Sequence, residues 1–143
     1  HGRSRRQRQM CIRDRMSLIK YHKDLIVYQK AFDSAMQIYF LSKSFPIEER
    51  YSLTDQIRRS SRSVCGNISE AWRKRRYEKL FINKLIDSEG EAAETQNWLD
   101  FSLACNYIDK EIYNELYLKY DEILAMLVKM SKDSGKWTFS NTQ

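Results

Sequence analysis

FPIEERYSLTDQIRRSSRSVCGNISEAWRKRR, running from Phe45 to Arg76, decides how the rest of the chain is read. On a helical wheel at about 100° per residue, Leu53, Ile57, Val64, Ile68 and Ala71 fall in one narrow arc. Arg58, Arg62, Ser69, Arg73 and Arg76 fall in a second arc, about a quarter-turn or more away. A helix built this way turns one side to a core and an adjoining cationic side to a partner. Pro46 suits the first turn, and Glu48 and Glu49 complement the positive end of the helix, so the pattern predicts a helix from there to about Lys74.

Three more periodic segments flank it. The spacing of Leu25, Tyr28, Phe32, Ala35 and Tyr39 predicts a helix from about Asp24 to Lys43, ended by Ser44-Phe45-Pro46 because proline disfavours helical geometry in the residue before it. Phe81, Leu85, Ser88, Ala92, Thr95, Leu99 and Ser102 repeat at heptad spacing and predict a helix from about Tyr77 to Cys105. Asn106 reads as a stop, and Asp109 as the N-cap of a fourth helix reaching about Lys132, with Ile112, Leu116, Ile123, Leu127 and Met130 on one face. Trp137 and Phe139, beyond Gly135, are placed to pack back on the body. Short links make neighbours run antiparallel, so the expected fold is all-α, an antiparallel up-down-up-down four-helix bundle over residues 16–134. Residues 135–143 form a C-terminal tail.

The 143 residues contain one proline and four glycines, which argues against a loop-rich β fold. A formal net charge of +6 misleads. Residues 1–15 carry six arginines against Asp14, a net of +5, whereas the remainder has 19 basic against 18 acidic side chains. The tail can be read as a basic nucleic-acid arm. Alternatively, QRQMCIRDR at residues 7–15 resembles the translation of a sequencing adapter, with Met16 as the true start; that reading is preferred, and no function is built on the stretch. There is no apolar run long enough for a membrane span. Cys11, Cys65 and Cys105 lack metal spacing, and the last two lie in helical patterns where cysteine acts as a small hydrophobe. A reduced, cytoplasmic protein is expected.

Enzyme chemistry finds no support. His1 and His22 are the only histidines, and no Ser-His-Asp or Cys-His motif surrounds them. Asp87, Glu91 and Glu94 stack on one face of the third helix, but the Glu-x-x-His element of di-iron bundles is missing, as is a phosphate-cradling glycine loop. No catalytic residue, cofactor or metal is expected. The charge distribution says more: Lys43 to Lys84 has 11 basic and 5 acidic residues, and Leu85 to Ala125 has 2 and 10. Either Arg58, Arg59, Arg62, Arg73, Lys74, Arg75 and Arg76 contact phosphates, or they pair with Asp87, Glu91, Glu94 and the acids of the fourth helix, within one subunit or between subunits. Asn67, at the edge of the core, is expected to bond Glu70, Glu91 or Thr95. Gly66 and Gly90 are tolerated helix glycines or sites of close helix approach. Tyr113, Tyr117 and Tyr120 form a stripe that widens the apolar face of the fourth helix, as an oligomer interface requires.

Asp24-Leu25-x-Val27-Tyr28-x-x-Ala31, Phe45-Pro46, Glu49, Leu53, Gln56-Ile57-Arg58-Arg59, Ser63-Val64 and Asn67-Ile68-x-Glu70-Ala71 together resemble a bacterial four-helix-bundle family. Its members were first described as proteins encoded in intervening sequences of 23S ribosomal RNA genes, and the resemblance spans about Tyr21 to Met130. It implies a bundle assembled as a homopentameric ring. The family is similar to the accessory variability determinant of diversity-generating retroelements, which binds a reverse transcriptase and template RNA through the basic surface of its pentamer. Where members often have glycine after the Asn-Ile-x-Glu motif, this chain has Trp72-Arg73-Lys74-Arg75-Arg76, a departure that strengthens the expectation of RNA binding. The expected function is a non-enzymatic RNA-binding scaffold, with RNA and a reverse transcriptase as partners. Arg58, Arg62, Arg73 and Arg76 are the phosphate contacts and Arg59, Lys74 and Arg75 the auxiliaries. The alternative is a protein-interaction module whose arginines serve its own subunit interfaces.

Overall fold

The computed structural model describes residues 19–139, and among these the chain forms four α-helices and no strand. They are α1 (Ile26–Ser42), α2 (Leu53–Arg73), α3 (Glu78–Ala104) and α4 (Lys110–Lys132). Single 3-10 turns occur at His22–Asp24, Ile47–Glu49 and Ser134–Lys136. The basic stretch 1–15, with Cys11, lies outside the described residues, as do Met16 and residues 140–143. Each helix packs on the next and α4 packs on α1, with the α2–α3 seam the most extensive and the α1–α4 seam the lightest.

The heptad of α3 is read correctly at every position: Phe81, Leu85, Ser88, Ala92, Thr95, Leu99 and Ser102 are all fully buried. Its small hydroxyls are not orphans. Ser88 Oγ donates to the Val64 carbonyl at 2.9 Å, and Thr95 Oγ1 lies 2.8 Å from Ser60 Oγ and 2.9 Å from the Glu91 carbonyl. Small side chains let α2 and α3 come close while their own hydroxyls stay hydrogen-bonded. Asn106 ends α3 in the left-handed region at φ 61°, a conformation asparagine tolerates better than most residues. The Tyr107 N–H donates to the Ser102 carbonyl and the Asn106 N–H to the Leu103 carbonyl, both at 2.9 Å, closing a Schellman motif. Asp109 then caps α4 by accepting from the Ile112 N–H at 2.8 Å.

Several expectations need correction. The helix predicted from Pro46 does not start there. Pro46 is extended, a 3-10 turn follows at Ile47–Glu49, and α2 begins only at Leu53. The detour buries Phe45 against Tyr107, with ring centroids 5.5 Å apart. It is pinned by Glu49, whose carboxylate accepts from the Ser52 hydroxyl at 2.6 Å and the Tyr107 hydroxyl at 2.9 Å.

On α1 the buried face is Val27, Ala31, Ser34, Ala35, Ile38 and Ser42, not the aromatic row. Alanine and serine admit the neighbouring helices closely, whereas Phe32 remains 48% exposed and Tyr28 and Tyr39 are half-buried at the margin. Tyr120 is fully buried in the core, one turn from Leu116 and Ile123, and so is not an outward interface residue. Tyr113 and Tyr117 stay half-buried at the α3–α4 edge with rings 5.4 Å apart, and the Tyr113 hydroxyl donates to Asp100 at 2.5 Å. Asn67 donates to the Ser63 carbonyl of its own helix at 2.9 Å, not to Glu70, Glu91 or Thr95. Cys65 is buried, and desolvation pushes its thiol up to about 12; Cys105 is exposed at the end of α3. Cβ atoms built on Gly66 and Gly90 would meet nothing within 4 Å, so neither glycine serves close approach within the chain.

Candidate nucleic-acid interface

The seven cations singled out on α2 and its C-terminal extension do not form one patch. Arg62 and Arg73 are separated by about 16 Å along the helix axis at 1.5 Å per residue, and the environments at the two ends differ. Towards the N-terminal end, Arg58 and Arg62 stand over the ring of Tyr39, at 5.1 and 5.7 Å from its centroid, and Lys43 approaches the same ring at 4.8 Å. Three cations thus share one aromatic ring, where each gains cation–π attraction while repelling the other two. Arg58 is oriented by Ser42: the arginine Nε–H donates to Ser42 Oγ at 2.7 Å, and that hydroxyl donates to the Tyr39 carbonyl at 3.0 Å.

Arg59 points another way. It forms an ion pair with Glu94 of α3 at 3.1 Å and donates to Gln56 at 3.3 Å. Beside it, burial first, then a hydrogen bond and repulsion from Glu94, raise the Glu91 carboxyl above its usual range. Asp87 approaches Lys84 at 3.7 Å, and Lys84 also binds Glu70 at 2.8 Å. Among the described residues no carboxylate pairs with Arg58, Arg62, Arg73, Lys74 or Arg76. Of the pairings considered between these cations and the acids of α3 and α4, the structure makes one, Arg59–Glu94.

At the C-terminal end Arg73, Lys74 and Arg76 are exposed, but Arg75 is not a free cation. Its guanidinium stacks 3.9 Å from the Trp72 ring centroid and 4.9 Å from that of Phe139. Nη1 donates to the Trp72 carbonyl at 2.7 Å, satisfying one of the last acceptors of α2. Burial, and secondarily the Arg73 charge, lower its pKa from the ordinary value. Trp137 packs edge-on against Trp72 at 6.1 Å, and the Phe139 N–H donates to the Arg75 carbonyl at 3.3 Å, so the end of the chain folds back as expected. Arg75, expected as an auxiliary phosphate contact, instead holds this end of the molecule together.

The N-terminal group opens on a cleft of about 940 Å³ between the end of α1 and the first turns of α2. Lys43, Arg50, Arg58, Arg59 and Arg62 line it, with Asp55 the one acid among its lining residues. Lys43, Arg50, Tyr39 and Tyr51 escape the sequence reading, because the spacing puts Tyr39 on the core face of α1 and the other three flank a break that one helix from Pro46 does not contain; the exposed Arg50-Tyr51 pair next to a proline turn is the signal that could have found them.

A second, apolar groove of about 370 Å³ lies on the outer face of α1 and α2, lined by Tyr28, Phe32, Met36, Cys65 and Gly66. Among the described residues no group of three His, Cys, Asp or Glu side chains could hold a metal ion, and no helix is long and apolar enough to cross a membrane.

The model of the 23S rRNA-intervening sequence protein family matches residues 23–129. Among solved structures, the chain is similar to a protein of unknown function from the S23 ribosomal protein family of Bacteroides thetaiotaomicron VPI-5482. The two are 32% identical with a TM-score of 0.69, over 75% of this chain and 96% of that one. The curated proteins contain no match.

Proposed function

We propose, from the premise that this chain belongs to the 23S rRNA-intervening sequence protein family, that it is a non-enzymatic RNA-binding scaffold of the cytoplasm. The observation that carries the reading is the set Arg58, Arg62, Arg73, Lys74 and Arg76. These cations form no ion pair among the described residues, Lys74 alone feeling the charge of Glu70, whereas Arg59 reaches Glu94 of α3. Cations without an ion pair, here at the two ends of α2, attract phosphate, whose contacts dominate nucleic-acid affinity. An rRNA intervening sequence or a retroelement template, the latter with a reverse transcriptase beside it, is the class of partner this surface would serve.

The up-down-up-down course of the helices and a homopentameric ring are part of the same proposal. The half from Lys43 to Lys84 is cationic and the half from Leu85 to Ala125 anionic, so the α1–α2 side of one copy complements the α3–α4 side of the next. Such head-to-tail contacts close into a ring when the rotation from copy to copy completes a full turn. The apolar groove at Tyr28, Phe32, Met36 and Gly66, and the Tyr113–Tyr117 pair, are the surfaces such contacts would cover. This complementarity also favours the second reading, a purely self-associating protein scaffold whose arginines are spent on subunit contacts.

The double variant Arg62→Glu, Arg73→Glu separates the two. RNA affinity by fluorescence anisotropy and assembly mass by light scattering are compared with the full chain, so that residues 1–15 contribute equally to both. Unchanged mass with at least tenfold weaker RNA binding is expected from loss of two phosphate contacts. Dissociation of the assembly, or unchanged RNA binding, rejects the RNA reading in favour of the scaffold.

A further inference from the structure

The cleft between the end of α1 and the start of α2 holds more than cations. Tyr51 is 84% exposed and Ile47 79% exposed at its rim, with the Arg50 guanidinium 5.9 Å from the Tyr51 ring centroid. Bare aromatic and aliphatic surface beside unpaired positive charge suits a ligand that is flat and apolar in one part and anionic in another. Thr54, in the first turn of α2, lines the same cleft; it is 8% exposed, and its Oγ1 is buried with no hydrogen-bond partner. The side chain of Ser52, at the N-cap position, does not cap this turn, because its hydroxyl donates to Glu49 instead. The Glu49 carboxylate, bonded to Ser52 and to the Leu53 N–H, and Asp55 offset the positive end of this 21-residue helix, so the field in the cleft comes from Lys43, Arg50, Arg58 and Arg62. Asp55 alone among the lining side chains opposes an anion, and Arg59 is held by Glu94.

We propose that this cleft takes an unpaired stretch of RNA, with a base stacked on Tyr51 and neighbouring phosphates on Arg58 and Arg62. The inference rests on the RNA-binding reading and sharpens it, from nucleic acid in general to single strands. Arg58 and Arg62 stand one helical turn apart, roughly 5–6 Å between Cβ atoms, comparable with the step between successive phosphates of an extended strand. Ser42 and Tyr39 hold Arg58 from below through its Nε and ring face, leaving both Nη groups without a protein acceptor among the described residues. A duplex can offer these arginines its phosphates, but its base faces are buried in the stack and cannot reach Tyr51. A single strand can use both parts of the cleft, and ring-to-base stacking does not depend on base identity. The unpaired Thr54 hydroxyl sits where a phosphate oxygen or ribose hydroxyl would satisfy it.

The test is anisotropy of the full chain with labelled oligouridylate and with an RNA duplex of equal length, for wild type, Tyr51→Ala, Tyr51→Phe and Arg62→Ala. The exposure of Tyr51 and Arg62 makes misfolding of these variants no explanation of a loss. Tighter binding of the single strand is expected, with about tenfold loss in Tyr51→Ala and recovery in Tyr51→Phe, which keeps the ring. Arg62→Ala should lower the log–log salt slope for oligouridylate by about 0.7. Equal binding of both RNAs, or an unaffected Tyr51→Ala, overturns the single-strand site while leaving the RNA reading in place. If neither RNA binds, both fall. Polyglutamate of matched charge competing as well as oligouridylate identifies a general anion site and overturns the proposal.

Discussion

Arg75, just past the C-terminal end of α2, and Arg58 and Arg62, towards its N-terminal end, are the same residue type put to different uses. At the C-terminal end, Arg75 lies between Trp72 and Phe139 with its Nη1 bonded to a helix carbonyl, an arrangement that gives the guanidinium a structural task. At the N-terminal end, Arg58 and Arg62 share the ring of Tyr39 with Lys43, and no carboxylate of the described residues answers them. An arginine count would treat the two ends alike. What separates them is that Arg75 is stacked between two rings and half-buried, whereas Arg62 is exposed and makes no hydrogen bond or ion pair within the chain.

The largest effect expected from breaking this contrast is Trp72→Ala. The ring is 7% exposed, supports Arg75 and Trp137, and its Nε1–H donates to the Lys20 carbonyl at 3.1 Å. Its loss should cost about 3–5 kcal/mol, read by thermal unfolding as a drop of about 10 °C or more. Arg75→Ala comes next, at about 1–2 kcal/mol from lost stacking and a charged hydrogen bond. Arg75→Lys should recover only part, since an ammonium cannot lie flat between two rings.

A smaller effect concerns the turn that shapes the rim of the cleft. Hydrogen bonds from Ser52 and then Tyr107 hold the Glu49 carboxyl below its usual range. Its stabilisation is therefore present above the unfolded value of about 4.3 and fades as pH falls through the lower folded one. The gap in melting temperature between wild type and Glu49→Gln should close over that acidic window; a constant gap would show that the carboxylate charge does not matter. Smallest of all, Arg62→Ala should leave stability within about 0.5 kcal/mol, because the side chain is exposed and, beyond its long contact with the Tyr39 ring, makes no hydrogen bond or ion pair in the chain. A clear loss there would give Arg62 a structural task and erase the contrast between the two ends.

How far the sequence carried depended on whether a residue's role was local. The α3 heptad and the Asn106 stop with its Asp109 cap are local patterns, and each is found where its spacing places it. The buried face of α1 is not local. Bulk and hydrophobicity favoured Tyr28, Phe32 and Tyr39, whereas close packing chose Ala31, Ser34 and Ala35. The cleft was hidden for a similar reason. Its shape depends on breaking the helix at Arg50–Ser52, and that break is fixed by Tyr107, which is remote in sequence. Tyr120 was misplaced because an amphipathic ring at the border of an apolar arc can face either way until the neighbouring helix is known.

α1 is joined to α4 by the lightest of the four helix seams, with the exposed pair Lys30–Glu122 at 2.8 Å across it. In hydrogen-exchange terms α1 is the helix expected to leave first, its amides exchanging through partial opening while those along α2 and α3 wait for global unfolding. A strand lying over Tyr39 and Arg62 would touch both α1 and α2. Occupancy of the cleft would then slow exchange along the whole of α1, well beyond the residues in contact, and the least anchored helix would report on binding at its far end.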